Sequence, residues 1–486
     1  MTTVRCCHYL PSLAFRRASV SAVIAARNHH IIPDNRKLHQ QKNRQLTPVI
    51  CQPSSVNLPL PTMALAIIIT FILGYIAITL EHTIKVNKAA SALVTGVLCW
   101  TIYIMFQTDK HLVTEQLMEH LGEVSGILFF LLSAMTIVEL IDLHDGFQGI
   151  ADRINTKSAV KMLWITAFLS FFLSALLDNL TTTIVMVSLL RKLIADKDRR
   201  LFFVGITVIA ANAGGAWSPL GDVTTTMLWI GGQITALNII KQLFLPSLIC
   251  LLVPLAIVSF KMKGTVEPEI KDTTENLKPP FERNFVLFLG IGILLFVPVF
   301  KTVTHLPPFM AILLGLGIMW IVTETFHRRR GTEDKHALSV TSALERIDTP
   351  SILFFLGILV SISALQATGQ LTMAAQWLTD TIKNETAIVT SIGLLSSVVD
   401  NVPLVAASQG MYSLEQYPTD HFFWEFLAYA TGTGGSALII GSAAGVAAMG
   451  MEKISFFWYL KNITWLALIG YFSGAVVYLV WYGMVH

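Results

Sequence analysis

From Met63 onward, apolar runs of membrane-spanning length alternate with short charged stretches, and this alternation limits the fold more than any single motif. A bilayer core takes about 20 apolar residues per helical crossing and leaves no backbone group unpaired, so such runs must be helices. Composition agrees: 53% of the chain is hydrophobic and 13% charged, against about 25% charged in soluble domains. A soluble enzyme, a nucleic-acid binder and a disulfide-stapled secreted domain are excluded. Cys6, Cys7 and Cys51 lie in the first 62 residues, and Cys99 and Cys250 stand alone in apolar runs. That pattern holds neither a disulfide framework nor a metal-ligand spacing.

Ten full crossings are expected, near 63–80, 89–106, 124–142, 201–232, 241–260, 284–301, 306–324, 351–370, 422–449 and 456–483. The runs 201–232 and 422–449 are too long for one straight helix. Each is interrupted, by Gly214-Gly215-Ala216-Trp217-Ser218-Pro219-Leu220-Gly221 and by Gly432-Thr433-Gly434-Gly435-Ser436. Glycine weakens helix and Pro219 lacks an amide hydrogen, so each run should be two half-helices joined by unwound backbone. The stretches 162–194 and 386–410 are split centrally by Asp178-Asn179 and Asp400-Asn401. The arms of the second, about 10 to 14 residues, suit a re-entrant hairpin that enters and leaves on one side. The first, with a longer leading arm, is read in the same way.

Charge tests that layout. The net of +3 hides a first segment, residues 1–62, with eight Lys/Arg against Asp34. This Arg-rich, acid-poor segment reads as a transit peptide, as sequence preceding a true start at Met63, or as a disordered tail. With non-crossing hairpins, 22 of the remaining 26 basic residues fall on one side, including Arg328-Arg329-Arg330. Only Lys110, Lys241, Lys301 and Lys383 fall on the other. The rich side is then cytoplasmic, or stromal in a plastid, and Arg328-Arg329-Arg330 anchors lipid headgroups there.

The two halves also match. Ile127-Leu128-Phe129-Phe130-Leu131 recurs as Ile352-Leu353-Phe354-Phe355-Leu356, Asp178-Asn179 as Asp400-Asn401, and Gly214-Gly215 as Gly434-Gly435. Five crossings per half is an odd number, so the second repeat must be inverted. The expected fold is all-α and polytopic, with two inverted repeats (63–260 and 284–486) joined by a cytoplasmic linker, 261–283. Inverted repeats with paired broken helices are a secondary-transporter layout, with the ion and substrate site near the midplane.

Ionised groups inside a membrane are costly and mark function. Asp178 and Asn179 sit at the first hairpin tip, followed by Thr181-Thr182-Thr183. Asp222 follows the first unwound loop, with Ser218 before it and Thr224-Thr225-Thr226 after it. Asp400 and Asn401 form the second tip, and the second unwound loop brings Thr431, Thr433, Ser436 and Ser442. No Lys or Arg lies at the breaks of these four elements, and their oxygens suit a small hard cation. Each Asp also fits a half-helix N-cap, and the two roles are compatible. Three buried acids favour a cation over an anion. A carboxylate that takes either a cation or a proton would give exchange.

These segments resemble the signatures of NhaD-type sodium/proton antiporters: Asp178-Asn179-Leu180-Thr181-Thr182-Thr183, Gly214 through Thr226, Asp400-Asn401-Val402-Pro403-Leu404-Val405 and Gly434 through Ser442. The resemblance covers about 63–486 and places the chain in a superfamily that includes sodium/dicarboxylate symporters. It implies export of Na⁺, and of Li⁺, driven by proton entry, with no cofactor. It implies roles for Ser174, Asp178, Asn179, Asp222, Thr224, Thr225, Ser396, Asn401 and Ser436, with Na⁺ at Asp178 and Asp222. It also implies a homodimer in the lipid bilayer whose hairpins and broken helices slide against a scaffold. A bacterial inner membrane is the first expected location and a plastid envelope the second.

Weaker signals surround this set. Glu139 and Asp142, three residues apart, suit an ion access path, a regulatory site or an interfacial pair. His82, His111, His120, His144, His305 and His421 flank the membrane and titrate in a range that suits pH gating. The alternative function is a sodium-coupled anion symporter on the same scaffold. An intramembrane aspartyl protease needs Gly-x-Gly-Asp, and here the run is Pro219-Leu220-Gly221-Asp222.

Overall fold

A computed structural model describes residues 61–147, 154, 156–266, 280–327 and 338–485. The expected leader, 1–62, lies outside the described residues up to residue 60, as do residues 267–279 of the linker and Arg328-Arg329-Arg330. Among the described residues the chain is helical, with one isolated backbone bridge between Ser158 and Thr265. The first half contains α1 (Pro61–Thr79), α2 (Lys88–Phe106), α3 (Lys110–Leu143), α4 (Ala159–Leu177), α5 (Asn179–Leu193), α6 (Lys197–Ala216), α7 (Val223–Ile230) and α8 (Ala236–Lys261). The second contains α9 (Pro280–Thr304), α10 (Pro308–His327), α11 (Val340–Arg346), α12 (Thr349–Ala367), α13 (Gln370–Ile382), α14 (Glu385–Leu395) and α15 (Asn401–Met411). It ends with α16 (Phe422–Gly434), α17 (Ala443–Glu452), α18 (Phe456–Asn462) and α19 (Thr464–Val485).

Nine of the described helices are long and apolar enough to cross a membrane: α1, α2, α3, α4, α8, α9, α10, α12 and α19. The chain is thus an all-α, multi-pass membrane protein. The two over-long runs are both broken, into α6 and α7 and into α16 and α17. Asp222 and Ser442 start the second pieces in extended backbone, and their side chains accept from the amides of Thr224 and Gly445. The first hairpin spans 159–193, and its leading arm α4 reaches crossing length by itself. The second has two arms of 11 residues each. Helix α3 starts at Lys110 rather than near residue 124, because its first turns carry charges that hydropathy assigns to water. The last run is interrupted at Ile463, so α18 stands apart from α19.

Packing brings the broken pieces together through close backbone approach. A Cβ on Gly214 would lie 2.1 Å from the Phe171 carbonyl oxygen, and one on Gly434 would lie 2.0 Å from that of Gly393. Each hairpin's leading arm therefore lies directly on a half-helix, a contact only glycine permits. At the ends, loops stitch the halves to each other. The Asp420 carboxylate accepts from Thr235 N (2.6 Å) and Thr235 Oγ1 (2.7 Å), joining the turn after α7 to the loop before α16. The last turn of α17 is joined to α5 and α6 by Glu452, which meets Arg191 Nε at 2.6 Å and Arg200 Nε at 3.0 Å.

Candidate functional site

Because all four broken elements expose unpaired backbone and start helices, their polar residues cluster at the breaks. A continuous hydrogen-bond chain links them. Asn179 Nδ2, from the first hairpin tip, donates to Asp222 Oδ2 (2.8 Å) and to Asn212 Oδ1 (3.0 Å). Asn401 Nδ2, from the second tip, reaches both oxygens of Asp222 at 3.4 Å. Thr224 N and Oγ1 donate to Asp222 Oδ1 at 2.9 and 2.7 Å. Asn212 Nδ2 donates to Ser436 Oγ and Ser442 Oγ, both at 2.9 Å, which brings in the second broken helix. Asp222 is the hub, 1% exposed, and the amides of both hairpin tips converge on its carboxylate.

The other acids take different places. Asp178 ends α4 and starts α5 with φ +78° and ψ 162°, a backbone region that glycine nearly monopolises. Its carboxylate accepts from Thr181 N (2.7 Å) and Thr181 Oγ1 (3.0 Å), and it lines a cavity of about 20 Å³ against α3. It is not hydrogen-bonded to the Asp222 hub, although the two charges lie within electrostatic reach. Asp400 caps α15 through Val402 N (3.2 Å) and is ion-paired with Lys88 Nζ at 3.7 Å. No Lys or Arg lies at the breaks of the four elements. This cation comes from outside, at the start of α2.

The hydroxyls divide into two groups. Ser174 Oγ donates to Ala211 O (2.6 Å), Ser396 Oγ to Thr431 O (2.8 Å) and Ser218 Oγ to Ala175 O (2.5 Å). These three pin hairpin arms to broken helices. Thr182 Oγ1 and Thr225 Oγ1 are buried and make no hydrogen bond to the protein. Among the described residues no cluster of three His, Cys, Asp or Glu is arranged for a metal. The oxygens at the hub are of mixed type: carboxylate, amide and hydroxyl. Glu139 and Asp142 lie apart from the hub, with Arg346 Nη1 4.0 Å from Glu139 Oε1.

Asn212 is the residue that sequence reasoning missed. It is fully buried and joins the two broken helices. A lone Asn inside an apolar helix, two residues before a Gly-Gly break, was the available signal.

A family model described as "Citrate transporter" matches residues 50–424. "Sodium/proton antiporter 1" of Arabidopsis thaliana is 48% identical over 415 residues, covering 85% of this chain and 72% of the relative. "Sodium/proton antiporter 2" of the same plant is 46% identical over 413 residues, covering 84% and 97%. "Na(+)/H(+) antiporter NhaD" of Alkalimonas amylolytica is 31% identical over 443 residues, covering 84% and 89%. With signature segments, fold and relatives in agreement, the chain belongs to the NhaD-type sodium/proton antiporter family, inside the wider family of that transporter model.

Proposed function

We propose that this protein exchanges Na⁺, and also Li⁺, for H⁺ across its membrane, at a site built on Asp222. The observation that carries this reading is the convergence of both hairpin amides, Asn179 and Asn401, on one buried carboxylate. A cation that binds there takes the carboxylate's charge together with amide and hydroxyl oxygens, including the unpartnered hydroxyls of Thr182 and Thr225. A proton on the same carboxylate removes that charge and releases the cation, so the two ligands compete for one group. Asp178, Asp400, Asn401, Thr224 and Ser436 complete the proposed set, with Ser174, Ser396, Ser218 and Ser442 holding its walls. The reading includes inverted repeats, supported by matching glycine contacts at Gly214 and Gly434. It also places the protein in a plastid envelope rather than a bacterial inner membrane, because identity is higher to the plant relatives than to the bacterial one.

The description of the family model favours a second reading, sodium-coupled uptake of an anion. A carboxylate hub repels a carboxylate substrate, and this argues for the exchanger. Purified protein in acid-loaded proteoliposomes separates the two. Added Na⁺ should drive proton movement with no organic anion present. Flux that appears only with a dicarboxylate would replace the first reading with the second.

A further inference from the structure

The first residue of α2 is a lysine, Lys88. That is an unfavourable place for a cation, because the helix N-terminus already carries partial positive charge. Asn87 supplies the cap, accepting from Ala89 N at 2.8 Å, so Lys88 is not needed there. Its ammonium is directed at the second hairpin tip, 3.7 Å from Asp400 Oδ2, with the two side chains only 24% and 18% exposed. It also sits 4.5 Å above the Phe354 ring of α12, a contact that favours a partly desolvated cation. Glu81, the nearest other acid on this segment, accepts from the backbone amide of Lys88 (3.2 Å) and forms no ion pair with its ammonium. The Tyr75 phenol of α1 lies against the Asp400 backbone. Asp400 is also close enough to Asp222 for their charges to interact.

We infer that Lys88 is a tethered counter-cation: by pairing with Asp400 it lowers the negative potential at the Asp222 hub and so sets the protein's affinity for its transported cation. This rests on the exchange reading and adds a residue to it. Lys88 touches no proposed cation ligand other than Asp400, so it is a positioning residue that acts through that carboxylate. A unit charge roughly 10 Å away, at an effective dielectric of about 20, changes cation affinity about tenfold. Without the ammonium, Na⁺ should bind more tightly and leave more slowly.

The test measures Na⁺-driven proton flux in proteoliposomes at one fixed pH, for wild type, Lys88→Met, Lys88→Arg, Asp400→Asn and Lys88→Met/Asp400→Asn. Met keeps the apolar stem and loses the charge. Lys88→Met should lower half-saturating Na⁺ about tenfold and reduce maximal turnover, while Lys88→Arg stays within twofold of wild type. Asp400→Asn should raise half-saturating Na⁺, and the paired variant should return it toward wild type, as coupled charges require. A Lys88→Met protein that exchanges with half-saturating Na⁺ within twofold of wild type would make Lys88 a helix-end anchor and overturn the inference. If Lys88→Met fails to accumulate, the paired variant decides: a wild-type-like value supports the inference and a value equal to that of Asp400→Asn overturns it. Absence of Na⁺-driven proton flux in wild type would instead remove the exchange reading itself.

Discussion

Asp222→Asn should leave the protein folded and empty the site. The carboxylate accepts at Oδ1 from Thr224 N and Oγ1 and at Oδ2 from Asn179 Nδ2. Asn401 Nδ2 lies 3.4 Å from both oxygens, so it keeps a partner in the one that remains. A carboxamide has one oxygen, and the Thr224 contacts, two residues away, will claim it. Asn caps a helix about as well as Asp, so α7 keeps its start. The new NH₂ then faces the Asn179 amide, which can turn its own oxygen toward it by giving up its bond to Asn212. One lost buried hydrogen bond costs about 1–3 kcal/mol, too little to unfold a protein of this size. The ion loses far more, because removing one partner of a buried charge pair costs about 3–5 kcal/mol, a hundredfold or more in affinity. The assay pairs Na⁺-driven proton flux with thermal unfolding of the detergent-solubilised protein, with and without Na⁺. The expected result is a small drop in midpoint, no stabilisation by Na⁺ and no flux. Flux within tenfold of wild type would refute the hub, and loss of the protein from the membrane would refute the capping argument.

Gly434→Ala sets a Cβ 2.0 Å from the Gly393 carbonyl and should cost at least the roughly 1–3 kcal/mol of an overpacked core. Gly292→Ala meets nothing within 4 Å and should unfold like wild type, and thermal melts compare the two. Glu452→Gln removes the charge partner of Arg191 and Arg200, which keep their bonds to the carbonyls of Met451 and Ile194. Because Arg191 stays 43% exposed, the loss should be about 1–3 kcal/mol, below that of a dry ion pair, as read by a double-mutant cycle with Arg200→Met. In the loop before α16, burial, with Glu385 beside it, pushes the Tyr417 phenol from 10.0 up to about 12. The unfolded phenol ionises first, so this group's contribution to stability is full below pH 10 and falls as pH rises toward 12. Tyr417→Phe should flatten that alkaline slope in melts taken across the range.

The breaks were legible in sequence because glycine and proline at 214–221 and Gly432 through Gly435 act locally, and no packing can restore a missing amide hydrogen. The residues at the hub were legible for the same reason: Asp and Asn at a break cap the helix that follows. Partners distant in sequence were not legible. Lys88 could be counted as a basic residue on one face, but nothing local points it at Asp400. Asn212 looked like one polar residue in an apolar run until folding placed Ser436 and Ser442 against it. The early start of α3 was hidden because charged residues on an amphipathic turn read the same in water as at a membrane surface.

The two stitched junctions differ in kind. One is held by full charges, Glu452 against Arg191 and Arg200, and the other by the Asp420 carboxylate on a neutral amide and a neutral hydroxyl. Glu452 and Arg200 are only 2% and 13% exposed, and buried pairs are screened far less than exposed ones. Of the three ions only Arg191, 43% exposed, feels a Debye length that falls from about 10 Å at 0.1 M salt to about 3 Å at 1 M. Hydrogen bonds from neutral donors, as at Asp420, are far less affected. Rising ionic strength therefore releases Arg191 first and leaves the Glu452–Arg200 pair and the Asp420 junction in place.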